Sequence, residues 1–177
     1  SSKGGDVTDL KGIEYFTSLT RIQCGHNKIS KLDVSKNTAL TELYCPNNEL
    51  TELDLGNNTA LGQLTVTNNQ LKELDISKDT ALTYLACANN QLKELNVSKN
   101  TALTELSCSY NQLTELNVNN NTALTRIDCG SNQLSELDVS KNTALTHLSC
   151  GSNNGNKLTK LDVSNNTELT YLEFWHN

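Results

Sequence analysis

The chain has 177 residues, among them 29 Leu and 25 Asn, with one Pro, no Met and 5% aromatics. That skew marks repetition and argues against the varied core of a Rossmann domain, a TIM barrel or a helical bundle. A net charge of −6 leaves no basic stripe for phosphates, which opposes nucleic acid as a partner, and no apolar run approaches the ~18 residues of a membrane span.

In chain order, residues 1–6 read as a linker, residues 7–18 as a lead-in or incomplete repeat, and residues 19–177 as a tandem array of period 21. Six regular units start at Leu19, Leu40, Leu61, Leu82, Leu103 and Leu124. A seventh starts at Leu145 and carries three extra residues around Asn154, Gly155 and Asn156; an eighth starts at Leu169 and stops at Asn177. The Asn-Gly pair inside the insertion predicts a tight turn, read as a bulge at the rim.

Each unit has two halves, L-x-x-L-x-C-x-x-N-x-L and x-x-L-D-V-S-x-N-T-A. Alternation in the first half sends Leu43 and Cys45 inward and Glu42, Tyr44 and Pro46 outward, so each unit supplies one strand to a parallel sheet. No unit can bury its leucines alone; its neighbours must cover them. An Asn column (Asn27, Asn48, Asn69, Asn90, Asn111, Asn132, Asn153) stands where the chain leaves the strand, placed to bond backbone groups of its own coil and the next. The second half repeats the spacing and carries its own column, Asn37, Asn58, Asn100, Asn121, Asn142 and Asn166, broken once by Asp79. No segment sustains a 3.6 period, so the return side should be extended or short-stranded, with little helix. Ala39, Ala60, Ala81, Ala102, Ala123 and Ala144 are read as inward, with Glu168 in their place in the seventh unit. At ~4.8 Å per strand, about eight turns give a rod of about 35–40 Å.

The first half resembles the leucine-rich-repeat consensus over its full length, and seven near-copies make that resemblance specific. The cysteine-bearing 21-residue repeat, with the lead-in from Val7 to Phe16, resembles the internalin group of bacterial surface proteins. The resemblance covers nearly the whole chain from about Val7. It implies a leucine-rich-repeat solenoid with a parallel sheet on its concave face, in a secreted or surface-anchored bacterial protein that grips a host partner, with no catalysis and no cofactor. The helical N-terminal cap and immunoglobulin-like domain of that group have no counterpart in these residues. The array stops in mid-repeat, which predicts either continuation or end-to-end self-association at an open coil.

Cys24, Cys45, Cys87, Cys108, Cys129 and Cys150 recur in one column, with Val66 in the vacant slot. Stacked parallel Cβ vectors are poorly placed for disulfides, and a straight column offers a metal no tetrahedral set. Buried free thiols acting as small apolar fillers are therefore expected, with disulfides as the alternative.

The two outer faces differ. The return face repeats acidic residues, Glu52, Glu73, Glu94, Glu115 and Glu136 beside Asp33, Asp54, Asp75, Asp138 and Asp162, and reads as a solvated surface. The sheet face varies from turn to turn and collects four of the five Tyr, the one Trp and the three His. Aromatics and Arg are the strongest interface anchors, so the candidate partner-binding residues are Tyr44, Tyr84, Glu105, Tyr110, Arg126, Asp128, His147, Tyr171, Glu173 and Trp175. Ser149, His147 and Asp128 also suggest a catalytic triad, but an open sheet offers no pocket and no oxyanion hole. A protein partner is the first expectation. The others are a glycan stacked on Tyr44, Tyr84, Tyr171 and Trp175, or a spacer with no ligand.

Overall fold

The computed structural model describes residues 5–152 and 155–177. Eight short strands form one parallel sheet in sequential order: β1 (Arg21–Gln23), β2 (Glu42–Tyr44), β3 (Gln63–Thr65), β4 (Tyr84–Ala86), β5 (Glu105–Ser107), β6 (Arg126–Asp128), β7 (His147–Ser149) and β8 (Tyr171–Glu173). Each residue pairs with its equivalent one repeat away, so every column of the repeat becomes a line across the sheet. The central residue of each strand from β1 to β7 is buried, whereas Leu172 of β8, on the last coil, is 40% exposed. Each buried one joins the other leucines of its turn and the valine or isoleucine of the second half in one continuous core. A 3-10 turn at Ile13–Tyr15 is the helical element among the described residues.

The first Asn column acts as a hydrogen-bonded ladder between coils. The Asn48 amide donates to the carbonyls of Cys24 (3.0 Å) and Cys45 (3.3 Å), while its Oδ1 accepts the Ile29 N–H (3.1 Å). One side chain thus satisfies backbone groups of two successive turns that no strand pairing reaches. Asn69, Asn90, Asn111 and Asn132 repeat the pattern. The insertion changes the expected register. Asn153 lies outside the described residues, and Asn156 fills the ladder, donating to Cys129 O (3.1 Å) and Cys150 O (2.9 Å) and accepting from Leu134 N (3.1 Å). The extra residues therefore precede the ladder asparagine, whose position is fixed by the buried groups it must bond.

The return side is extended and turned, with no strand among the described residues. Two consecutive turns close around each second-column asparagine: Asn58 N–H donates to Leu55 O, and Leu61 N–H to Asn58 O, both at 2.9 Å. The Asn58 amide also donates to Val34 O (3.2 Å) and Asn37 O (2.9 Å) of the preceding turn. A residue committed to turns has no ladder to offer a neighbouring strand, which is why the apolar spacing of a strand produces none here. The alanines expected to point inward do not. Ala60, Ala81 and Ala123 are exposed and the others half-buried, because the turn at Asn58 and its equivalents carries the next residues to the surface. Exposed Glu168 therefore departs from a surface column.

The acidic column on the return face has a structural task. The carboxylates of Asp33, Asp54, Asp75, Asp138 and Asp162 each accept the backbone N–H two residues on, at 2.8–3.0 Å. Asn96 and Asn117 do the same in the turns that lack Asp. These are Asx-turns. The hydrogen bonds from the following serine hold Asp33, Asp75, Asp138 and Asp162 below the usual carboxylate range.

The six cysteines are buried, carry free thiols and form one column with buried Val66. Burial pushes Cys87 up to about 12 and Cys150 up to about 11. Cys24, at the end of the column, differs: a hydrogen bond from the Cys45 thiol holds it below the ordinary value. Thiolate is the reactive form. In native protein at about pH 8, alkylation should therefore reach Cys24 first and leave Cys87, Cys108 and Cys129 untouched, as read by peptide mass mapping. Denatured, unreduced protein should titrate close to six thiols; a count of two or fewer would overturn the free-thiol column.

Candidate partner-binding surface

The outward positions of β6, β7 and β8 are joined in one network. Arg126 Nε donates to Asp128 Oδ2 (2.8 Å), and Asp128 Oδ1 faces His147 Nε2 at 3.1 Å. The His147 ring stacks on Tyr171, with centroids 4.1 Å apart and planes 2° from parallel. Tyr171 OH donates to Glu173 Oε2 (3.0 Å), and Ser149 Oγ donates to the same oxygen (2.9 Å). The Trp175 indole N–H donates to the other carboxylate oxygen, and its ring meets His176 edge-on. These contacts follow from register. Asp128 reaches diagonally to β7 and Tyr171 stands directly beside His147, so the parallel sheet brings polar tips together over a plain leucine core.

Three donors hold Glu173 below the usual carboxylate range, Trp175 first, then Ser149 and Tyr171. The same bond to Glu173 raises the Tyr171 phenol. Tyr171 and Trp175 remain 46% and 45% exposed, so the network fixes their orientation without covering them. Aromatic side chains held rigid in advance lose little entropy on binding.

The network does not make the suggested triad. Ser149 gives its hydroxyl proton to Glu173, and His147 bonds Asp128 through Nε2, which leaves no serine–histidine pair. Among the described residues, no group of three or more His, Cys, Asp or Glu is placed to hold a metal ion.

The other candidates lie apart from this network. Tyr44 belongs to a second cluster at the far end, where its OH donates to the Gln63 side-chain oxygen. Beside it, Arg21 grips the Glu42 carboxylate with Nε (2.6 Å) and Nη2 (2.8 Å). That pair raises Arg21 and lowers Glu42. Four strand spacings, about 19 Å, separate β2 from β6. Tyr84 and Glu105 are half-buried on β4 and β5 between the clusters.

Tyr110 stands on the rim at φ 55°, in a column with His26, Asn47, Asn68, Asn89, Ser131 and His176 that takes the left-handed conformation. Asn tolerates that region and a bulky residue is uncommon there. Tyr110 is anchored by the Ser152 hydroxyl, which donates to its OH at 3.1 Å from two turns away. Arg21, Glu42, Gln63, Ser149 and Ser152 complete these clusters and were not among the expected binding residues. The signal for Arg21 and Glu42 was present, as opposite charges one repeat apart in a single column.

Three solved structures similar to the chain define its class. The functional domain of InlJ from Listeria monocytogenes, which includes a cysteine ladder, is 42% identical with a TM-score of 0.75, over 94% of this chain and 41% of that one. An internalin of the same organism, InlF, superposes with a TM-score of 0.89 at 24% identity, over 97% and 52%; at that identity the likeness is one of fold. YopM, a leucine-rich effector protein of Yersinia pestis, has a TM-score of 0.70 at 26% identity, over 88% and 48%. No family model matches the chain, and no curated protein matches it. The chain is a leucine-rich-repeat solenoid. Within that class it is internalin-like and carries a cysteine ladder. It spans about half or less of the length of these relatives.

Proposed function

We propose that the chain is the protein-binding part of a secreted or cell-surface bacterial protein, engaging its partner through the β6–β8 end of the sheet face in adhesion or host interaction. The observation that carries this reading is the connected set Arg126, Asp128, His147, Tyr171, Glu173 and Trp175, in which exposed aromatics are held in fixed orientations. The return face supplies only turn-forming carboxylates and solvated charge. Tyr84, Glu105 and Tyr110 extend the surface toward the middle of the sheet, and Tyr44 is its outlying member. The fold of the internalins supports a role in interaction rather than catalysis.

The test compares two sets of substitutions in a screen of host proteins and glycans. Replacing Tyr84, Arg126, His147 and Tyr171 together by Ala should weaken the partner by about thirtyfold or more, the effect of losing a central anchor. Replacing Glu73, Glu94, Glu115 and Lys99 together should change it by less than about threefold. A ligand lost with the return-face set overturns the assignment. The absence of any ligand for the parent favours a spacer.

A further inference from the structure

We propose that the β6–β8 patch recognises a basic side chain of the partner, an Arg or Lys that stands beside Tyr171 and Trp175 with its cation directed at Glu173. This deepens the partner-binding reading and rests on it. The first support is charge. No lysine occupies the eight strands, and their two arginines are already engaged, Arg21 with Glu42 and Arg126 with Asp128. Arg126 closes on Asp128 although Glu105 is its register partner on β5. Glu105 and Glu173 have no cationic partner among the described residues, so the charge left uncompensated on this half of the sheet is negative. A partner that complements it is basic.

The second support is the disposition of Glu173. A carboxylate has about four acceptor positions. Ser149 and Tyr171 use Oε2, and Trp175 uses Oε1. One position remains on Oε1, on the Trp175 side. The neutral donors keep the carboxylate ionised without cancelling its charge. The third support is the aromatic surround. Tyr171 is covered on one face by His147 and, like Trp175, remains half-exposed. A cation that lies over the exposed face of either ring while it reaches Glu173 gains cation–π attraction in addition to the ion pair. An acidic group finds no free positive charge here, and an aliphatic side chain gains nothing from Glu173.

The probe is a random peptide library displayed on phage, selected on the parent chain and counter-selected on the Tyr84, Arg126, His147 and Tyr171 alanine variant. Binders specific to the parent should be enriched in Arg or Lys. They should bind about tenfold more weakly to a Glu173→Gln variant, the loss expected for one screened ion pair with its aromatic support, and weaken as salt is raised. A Trp175→Ala variant should also lose affinity, and a Glu94→Gln variant on the return face should retain it. Parent-specific binders that are neutral or acidic and indifferent to Glu173→Gln overturn this proposal and leave the sheet face as the binding surface. Binders that ignore both the counter-selected set and Glu173→Gln overturn the partner-binding reading as well.

Discussion

Replacing Asp79 by Asn should stabilise the solenoid by about 2 kcal/mol at pH 7, a gain that disappears below about pH 4. Asp79 takes the place of an asparagine in the return-side ladder. Its equivalent Asn100 donates to Ile76 O and Asp79 O of the preceding turn, both at 2.9 Å. An ionised Asp79 has no proton to donate to the matching carbonyls. The residue is 1% exposed, and its Oδ1, like that of the ladder asparagines, has no hydrogen-bond partner, so what sets Asp79 apart is its charge and the missing amide donor. Burial first, and then the charge of Asp75, push its pKa up to about 6 from the ordinary 3.8. At neutral pH that difference corresponds to about 3 kcal/mol. An adjoining crevice of about 110 Å³, lined also by Asp54, Asp75 and Lys78, admits screening that lowers the cost to about 2 kcal/mol.

The sign follows from which state holds the proton more tightly. The folded chain keeps the Asp79 proton to about pH 6 and the unfolded chain loses it near the ordinary value. Below about pH 4 both states are protonated and the penalty is absent; between about 4 and 6 it grows; above that it is constant. The parent should therefore lose stability relative to Asp79→Asn as pH rises through that window. Urea melts of the two proteins at matched pH give the difference directly, and the exposed carboxylates common to both cancel. Equal stability at pH 7 would show that Asp79 is solvated in the native state.

Asn111→Ala should destabilise the chain by about 3–4 kcal/mol in the same assay. The Asn111 amide donates to Cys87 O (3.1 Å) and Cys108 O (3.0 Å), and its Oδ1 accepts from Leu92 N (3.0 Å). Removing the side chain strands the buried Leu92 N–H and empties space between two coils; an orphaned donor costs about 1–3 kcal/mol and the cavity adds to it. Asn111→Asp separates the two roles. It retains an acceptor for Leu92 and loses the donors, so it too should destabilise, with partial recovery in acid once the carboxyl carries a proton. A loss below about 1 kcal/mol for Asn111→Ala would mean that water replaces the side chain and that the ladder does not hold the coils together.

Most of the fold was legible because the repeat states each structural requirement several times. Leucine spacing, alternation through Leu43 and Cys45, and the first Asn column together specify a parallel strand followed by a buried turn. Three features were not legible. The return side shares the apolar spacing of the strands, and only the turns around Asn58 and its equivalents decide against a second sheet. The alanines near those turns look inward in sequence because small apolar residues suit a core, whereas the backbone direction after the turn sends them out. In the seventh coil, periodic spacing points to Asn153, but the groups requiring a partner select Asn156. The proposed surface stands out in the sequence as an aromatic-rich strip. Its connectivity was not, since the Arg126–Asp128–His147 chain and the three donors on Glu173 depend on rotamers and register rather than residue type.

If the β6–β8 network is the surface a partner covers, its aromatic side chains lose contact with water on binding. Hydroxyl-radical footprinting of the chain, alone and with a parent-specific ligand bound, reads aromatic and histidine side chains directly. His147, Tyr171 and Trp175 should become protected while Tyr15 and Phe16, exposed near the other end, react unchanged. Protection at Tyr15 and Phe16 with full reactivity at Tyr171 and Trp175 would contradict binding at the β6–β8 network.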